Sequence, residues 1–296
     1  MTARLTSIAV YPVKSTSGRA LDHVAVEPLG LRDDRRWMVV TADGECATAR
    51  RDRRLLTVVA VPTEQGLRLS TRGEDRRSVE VPEPTGPPVD VTVHGRPLTG
   101  IPAHTEASAW VGEVIGRDDV RLVRLEEPRA LNPSRSRPGD RTAFADGYPV
   151  TLASGASLRR LQDWVLEAAL DRGEEPVGIA MERFRPNLVV DGDLEAFAED
   201  DWQEVCVGEV IFDVAKCIDR CVLTTVDPGT LGSGPEPVRS LARHHAWDGA
   251  TWFGIQLIPR STGTVRVGDL VTAHCRADEP VDSERPVSRP PEAVTP

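Results

Sequence analysis

The 296-residue chain is 40% hydrophobic and 28% charged, which supplies a sizeable core, excludes global disorder and points to two domains or one large one. No apolar run approaches the roughly eighteen residues of a spanning helix, so no membrane span is expected. A net charge of −10, from 36 basic and 46 acidic residues, argues against a nucleic-acid surface or an anionic membrane as partner.

The N-terminus, MTARLTSIAVYPVKS, has neither the apolar block nor the cleavage site of a secretory signal, so export is not expected. Residues 1 to about 118 read as β-rich. LTSIAVYPV alternates apolar and polar residues, and WMVVTADGECATAR predicts two strands around an Asp43-Gly44 turn. LLTVVAVP follows as another strand, and VDVTVHGRPL alternates again with His94-Gly95 at its turn. Between these lie a charged, Gly-containing stretch and VPEPTGPP, whose prolines exclude a core strand. AHTEASAWVGEVIG sets Trp110, Val111, Val114 and Ile115 at helical spacing, so a short helix closes this half.

Residues 124 to 145 are polar and proline-broken and predict a mobile connection or an active-site loop. YPVTLAS predicts a strand. Ser157 is expected to cap a helix with Leu158, Leu161, Val165 and Ala168 on one face and Gly173 at its end. RPNLVVDG, EVCVGEVIFDVAK and TVRVGDLVTAHC predict strands, and PVRSLARHH a short helix. The last 21 residues hold five prolines and no large apolar side chain, and predict a disordered tail.

Five cysteines (46, 206, 217, 221 and 275) form an odd set with one close pair, so a reducing, cytoplasmic compartment fits better than a disulfide framework. Only two of the 36 basic residues are lysines, Lys14 and Lys216, and only two asparagines occur, Asn132 and Asn187. In a chain so biased towards arginine, a lysine either marks a site that suits a compact ammonium or survives by chance. The densest constellation is Lys216-Cys217-Ile218-Asp219-Arg220-Cys221, followed by TTVDP. Cysteines four apart do not match a zinc knuckle. A cysteine beside Arg220 and near Lys216 suits metal ligation or nucleophilic attack, but free cysteines are most often small buried apolar residues. Packing is the favoured reading for Cys217, and the two readings balance for Cys221. Lys14-Ser15 in YPVKS, Arg35 in DDRRW, and Arg185 with Asn187 in RFRPN would suit a phosphate and a polar heterocycle, unless they are solvated surface charges. No Walker loop, GxGxxG, HExxH or GxSxG occurs, so nucleotide, zinc-protease and α/β-hydrolase readings lack support.

Taken in order, YPVKS, GLRDDRRW…TAR, FADGYPVTLASGASL, FRPNLVVDG, FAEDDW, CIDRCVLTTVDP, WFG and VRVGDLV resemble the MOSC proteins, relatives of the C-terminal domain of molybdenum cofactor sulfurase. The likeness is to the subgroup with an N-terminal β-barrel domain, which includes the mitochondrial amidoxime-reducing component and its bacterial counterparts. It spans residues 4 to 272. The resemblance implies an α+β, β-rich fold. A MOSC N-terminal β-barrel domain would occupy 1–120, a MOSC domain (a mixed β-barrel with flanking helices) 121–275, and the disordered tail 276–296.

The resemblance also implies a set of site residues. Cys221 stands at the molybdenum-ligating position, and Lys14, Ser15 and Arg35 at positions that hold the cofactor's pterin and phosphate. Arg185 and Asn187 come from the RPN motif, and Asp219 and Arg220 flank the ligand. Asp146, Gly147 and Tyr148 correspond to a loop lining the cofactor, and Phe253 and Gly254 to the WFG turn. The implied activity is that of a molybdenum-dependent oxidoreductase, with Mo-molybdopterin as cofactor, reducing hydroxylamines, amidoximes or N-hydroxylated bases. At the level of the whole family the likeness also carries an association with pyridoxal phosphate binding. Two other activities stay open: a cofactor carrier without turnover, or sulfur transfer through a Cys221 persulfide. The sequence departs from the family at Arg53, near which a proline is usual after TAR. It also ends in a Pro-rich tail without an iron–sulfur motif, so a separate ferredoxin- or flavoprotein-type donor is expected.

Overall fold

A computed structural model describes residues 3–73 and 77–275; the expected tail, 276–296, lies outside the described residues. The chain is α+β and strand-rich, and its centre is a closed barrel of seven strands. In spatial order these are Val150–Ser154, Leu188–Gly192, Ala3–Val10, Leu270–Cys275, Trp202–Val207, Val210–Asp219 and Ala250–Pro259, which pairs back with Val150–Ser154. The N-terminal strand is thus a stave of a barrel whose other staves all lie beyond residue 149. It alternates as the sequence predicts, with Ala3, Leu5, Ile8 and Val10 buried. They meet Val150, Leu152, Leu188, Val190, Phe212, Ile255 and Leu257 in one core.

Val150–Ser154 and Leu188–Gly192 pair in parallel, which requires a crossover. Helix α2, Gly155–Arg172, starts that crossover and buries Leu161, Trp164 and Val165 against Phe184, Leu241 and Phe253, with Ala168 buried on the same helix. Gly173 ends it in the left-handed conformation, as expected. The N-cap is Ser154 rather than Ser157: Ser154 Oγ accepts from the Ser157 N–H at 3.0 Å. Ser157 is instead inside the first turn, its hydroxyl donating to both oxygens of the fully buried Glu199 at 2.8 Å.

The other half has a four-stranded sheet (Trp37–Thr41, Val120–Leu125, Arg96–Pro102, Val89–Val93) and a three-stranded one (Val58–Thr63, Gly66–Thr71, Ser78–Pro82). Helix α1, Thr105–Ile115, buries Trp110, Val111, Val114 and Ile115 between them as predicted. Three local expectations fail. GLRLST and SVEVP, absent from the sequence reading, are strands, because Leu67, Leu69, Val79 and Val81 bury one face despite flanking charges. Leu55 and Leu56 sit in a 3-10 turn, Arg53–Thr57, and not in a strand. ECATAR makes only isolated bridges, Glu45 to Thr92 and Cys46 to Val40, which reach to the two edge strands of the four-stranded sheet. Among the described residues no helix is long and apolar enough to cross a membrane.

Burial raises the Glu199 carboxyl above its ordinary value of 4.5, against the pull of hydrogen bonds from Ser157 and Ser154. A raised folded-state value means that Glu199's contribution is fully present below 4.5 and is lost as pH rises through the folded-state value. Glu199→Gln should therefore raise the urea midpoint at pH 7, with the gain shrinking as pH falls towards 4.5. A lower midpoint at pH 7 would show that the ionised carboxylate is the stabilising form.

Candidate functional site

Past Val10 the chain leaves the barrel and meets the other half, where Val13 bridges Trp37 in parallel and the Lys14 N–H donates to the Trp37 carbonyl at 2.8 Å. At this seam lies a cleft of about 560 Å³ whose lining carries nine lysine or arginine side chains and two carboxylates, Asp146 and Asp219. On a chain of net charge −10, that local excess of cations marks an anion site.

The floor is buried and its cations are held in place. The Lys14 ammonium, 5% exposed, donates to the Phe144 carbonyl at 2.7 Å and pairs with Asp146. Asp146 also meets His94 Nε2 at 2.9 Å; although the cleft desolvates it, these cationic and hydrogen-bonding partners hold its carboxyl well below the usual range. Arg35 and Arg185 clasp the Tyr11 ring, their guanidinium carbons 4.7 and 4.2 Å from its centroid. Arg185 donates to the Thr16 carbonyl at 2.7 Å, and burial pulls its pKa down to about 10. Ser15, Arg35 and Arg185 have φ of 70°, 51° and 54°. Each left-handed residue costs of order 1 kcal/mol, and such strain clusters at binding sites.

Cys221 opens on the same cleft from another direction. The strand Val210–Asp219 carries register shifts between Val214 and Lys216 and between Cys217 and Asp219. Bulges re-aim side chains. Lys216 and Ile218 line the cleft, while Cys217 packs against the barrel core and donates weakly to Asp200. Burial, with Asp200 beside it, pushes the Cys217 thiol up to about 12, the state of an inert packing residue. Cys221 follows the strand and starts a 3-10 turn, Val222–Thr225. Its carbonyl accepts from the Thr224 N–H at 3.2 Å and hydroxyl at 3.0 Å, and its own side chain is exposed. Arg220 turns inward, donating to the carbonyls of Phe253 at 2.7 Å and Phe184 at 3.0 Å, and burial brings its pKa down to about 9.

Of the residues singled out from sequence, Cys221, Lys14, Ser15, Arg35, Asp146, Gly147, Tyr148, Arg185, Asp219 and Arg220 line the cleft together. Asn187, Phe253 and Gly254 do not. Phe253 and Gly254 belong to the strand Ala250–Pro259, not to a turn, and support Arg220 from behind. Gly254 has φ 71°, and a Cβ there would meet the Leu152 carbonyl at 2.6 Å and Arg220 Nη2 at 3.3 Å.

Asn187 is fully buried under the floor. Its amide donates to the Ala9 carbonyl and to Asp34 Oδ1, both at 3.0 Å, and accepts from Arg35, from the Thr151 N–H and from the Thr151 hydroxyl. Arg50, His94, Arg96, Arg135, Arg183 and Gln256 also line the cleft, from different elements; Arg50 ends the TAR run and Arg183 opens RFRPN, while the other four stand in no motif. Lys216, which also lines the cleft, is marked in the sequence by the rarity of lysine. Among the described residues three buried polar atoms around the floor have no partner: Arg220 Nη2, Arg183 Nε and Gln256 Oε1.

Asn187→Ala should leave several buried donors and acceptors unmatched, at about 1–3 kcal/mol for each such group. The expected result is a fall of about 2–3 kcal/mol in unfolding free energy by urea titration; a change under about 0.5 kcal/mol would show that the network relaxes or admits water.

Comparison with known proteins agrees with this architecture. Residues 2–118 match the MOSC N-terminal beta barrel domain and residues 139–272 match the MOSC domain. Mitochondrial amidoxime-reducing component 1 of Mus musculus is 31% identical over 281 residues, covering 88% of this chain and 79% of that protein. The Xenopus laevis protein of the same name is 31% identical over 284 residues (90% and 81%). Mitochondrial amidoxime reducing component 2 of Bos taurus is 32% identical over 282 residues (88% and 80%). The chain therefore belongs to the MOSC proteins with an N-terminal β-barrel domain, the family of the mitochondrial amidoxime-reducing components.

Proposed function

We propose that this protein is a molybdenum-cofactor-dependent reductase of N-hydroxylated compounds, and that Cys221 is the protein's ligand to the metal. The observation that carries the reading is the meeting of one exposed thiol, with no disulfide or hydrogen bond among the described residues, with a buried cationic floor in a single cleft. Among the described residues no three His, Cys, Asp or Glu side chains converge, so the thiol suits a metal that arrives with its own ligands. The floor fits a pterin phosphate as well. Arg220 Nη2 and Arg183 Nε are buried donors awaiting an acceptor, and Gln256 Oε1 is an acceptor awaiting a heterocycle's N–H.

When bound, the cofactor supplies the two-electron chemistry, R–NHOH + 2 e⁻ + 2 H⁺ → R–NH₂ + H₂O, and a separate ferredoxin- or flavoprotein-type donor restores the electrons. The chain's own residues bind and orient. Lys14, Arg35 and Arg185 hold negative charge, and Asp146 holds Lys14 in place. Asn187 and Asp34 lock the backbone that carries Arg35, while Phe253 and Gly254 seat Arg220 beside Cys221. The five thiols are free, which suits a reducing, cytoplasmic compartment.

Two sets of variants test this. In protein made with abundant molybdenum, Cys221→Ala should abolish benzamidoxime reduction with reduced viologen, whereas Cys217→Ala keeps most of it and both keep a native circular dichroism spectrum. Equal, complete loss in both would refute the single-ligand assignment. Activity that survives Cys221→Ala would do the same. Separately, charge-assisted contacts are worth about 1.5–3 kcal/mol. Lys14→Met or Arg185→Met should thus cut pterin and molybdenum content about tenfold for each roughly 1.4 kcal/mol lost when cofactor is limiting. Full occupancy in the double variant would exclude this floor as the phosphate site.

A further inference from the structure

The cleft has a second tier of cations that the buried floor does not use. Arg50, Arg96 and Arg135 line it from exposed positions, joined by exposed His94 and Asn132, and Lys216 stands half-buried beside Ile218. They come from separate elements: the segment after Ala49, the hairpin turn at His94-Gly95, the loop 131–140 and a bulged barrel strand. The side chains of Arg96 and Lys216 have no hydrogen bond or ion pair among the described residues. The others are tied only lightly, Arg50 to His94 Nε2 at 3.1 Å and Arg135 to the Ala215 carbonyl at 3.3 Å. Of the cleft's carboxylates, Asp146 is already matched by Lys14 and His94, which leaves Asp219 as the unmatched acid. The rim is therefore net positive on a chain whose overall charge of −10 repels anions. Uncompensated like charges brought together at a mouth are unfavourable unless something negative passes or docks there.

Resting on the reductase reading, we propose that the rim selects anionic substrates: N-hydroxylated compounds that also carry a carboxylate or a phosphate. The floor is buried and its cations are engaged inward, so a small molecule approaching the Cys221 side from solvent meets the rim first. The low-dielectric walls focus the rim's field, and such focusing raises association by roughly tenfold or more at low ionic strength and fades as salt is added. The two possible anions share this chemistry, and the geometry of exposed arginines accepts either.

The test uses cofactor-loaded protein and matched pairs: benzamidoxime against 4-carboxybenzamidoxime, and N-hydroxycytidine against its 5′-monophosphate. In each pair the anionic member should have a kcat/KM higher by about tenfold at low salt, carried mainly by KM, and the ratio should fall towards one in 0.5 M NaCl, where the Debye length is only a few ångströms (about 10 Å at 0.1 M, 3 Å at 1 M). Preference within only one pair identifies which anion is accommodated. The double variant Arg96→Gln, Arg135→Gln should lower the ratio severalfold while molybdenum and pterin content stay at the parent level. Equal kcat/KM within both pairs, at every salt concentration, would overturn the proposal, as would loss of cofactor from the rim variant, which would assign these arginines to the cofactor instead. A second readout is calorimetric binding of the unreactive 4-carbamoylbenzoate against benzamide, expected to favour the anion by the same factor. If no N-hydroxylated compound is reduced, the reductase reading fails, and the calorimetric comparison still decides whether the rim selects anions.

Discussion

A buried hydrogen-bond cluster under the cleft holds the molecule's two halves in register. Asp34, 3% exposed, accepts from the Tyr11 N–H at 2.7 Å, from Asn187 at 3.0 Å and from the guanidinium of Arg35. Asn187 ties the same point to Ala9 and Thr151. Four segments far apart in sequence thus meet at two side chains in a place water does not reach. Each group is satisfied only if all four segments arrive, so the cluster acts as a register lock rather than a surplus of stability. The lock reaches two residues of left-handed backbone: Arg35 through its own guanidinium, and Arg185 through Thr151, whose hydroxyl donates to the Arg185 carbonyl at 3.3 Å.

On that base the cleft divides its charges by depth. Cations at the floor are engaged with carbonyls, aromatic rings and single carboxylates, and they have little freedom to reorient. Cations at the rim are exposed and weakly tied. A floor with engaged donors suits a ligand that stays, since pre-set donors cost little ordering entropy on binding, and an exposed, lightly tied rim suits one that comes and goes. The single thiol stands between these tiers, at a 3-10 turn held by the hydroxyls of Thr224 and Thr225 and by the Asp227–Arg183 pair. TTVDP is thus the structure that presents Cys221.

Cys217 and Cys221 show how a one-dimensional motif divides in space. Both stand in CIDRC, and spacing leaves their roles undistinguished. The irregularity between Val214 and Lys216 shifts the alternation, so that Cys217 follows Phe212 and Val214 onto the core side, where burial makes its thiol a poor ligand, and Lys216 and Ile218 face the cleft. Cys221 lies past the strand end and is exposed. A shift of one residue in register would turn Cys217 from the core to the cleft side.

What can be read along the chain is what local chemistry encodes. Alternation marked the strand Ala3–Val10, helical spacing marked α1 and α2, Gly173 marked a helix end, and the rarity of lysine and asparagine marked Lys14, Lys216 and Asn187. Motif order was enough for the family and the β-rich class. Other features depend on contacts distant in sequence and leave no local trace. The strands Gly66–Thr71 and Ser78–Pro82 exist because their apolar faces find a common core, although charge and proline argue against them locally. That the first strand belongs to the C-terminal barrel and that Asn187 lies beneath the floor rather than on it follow from barrel closure, and that Arg50, Arg96 and Arg135 share one rim follows from the packing of the other half against that barrel. Closure is a property of pairing between strands some two hundred and fifty residues apart, and the chain carries no local signal for it.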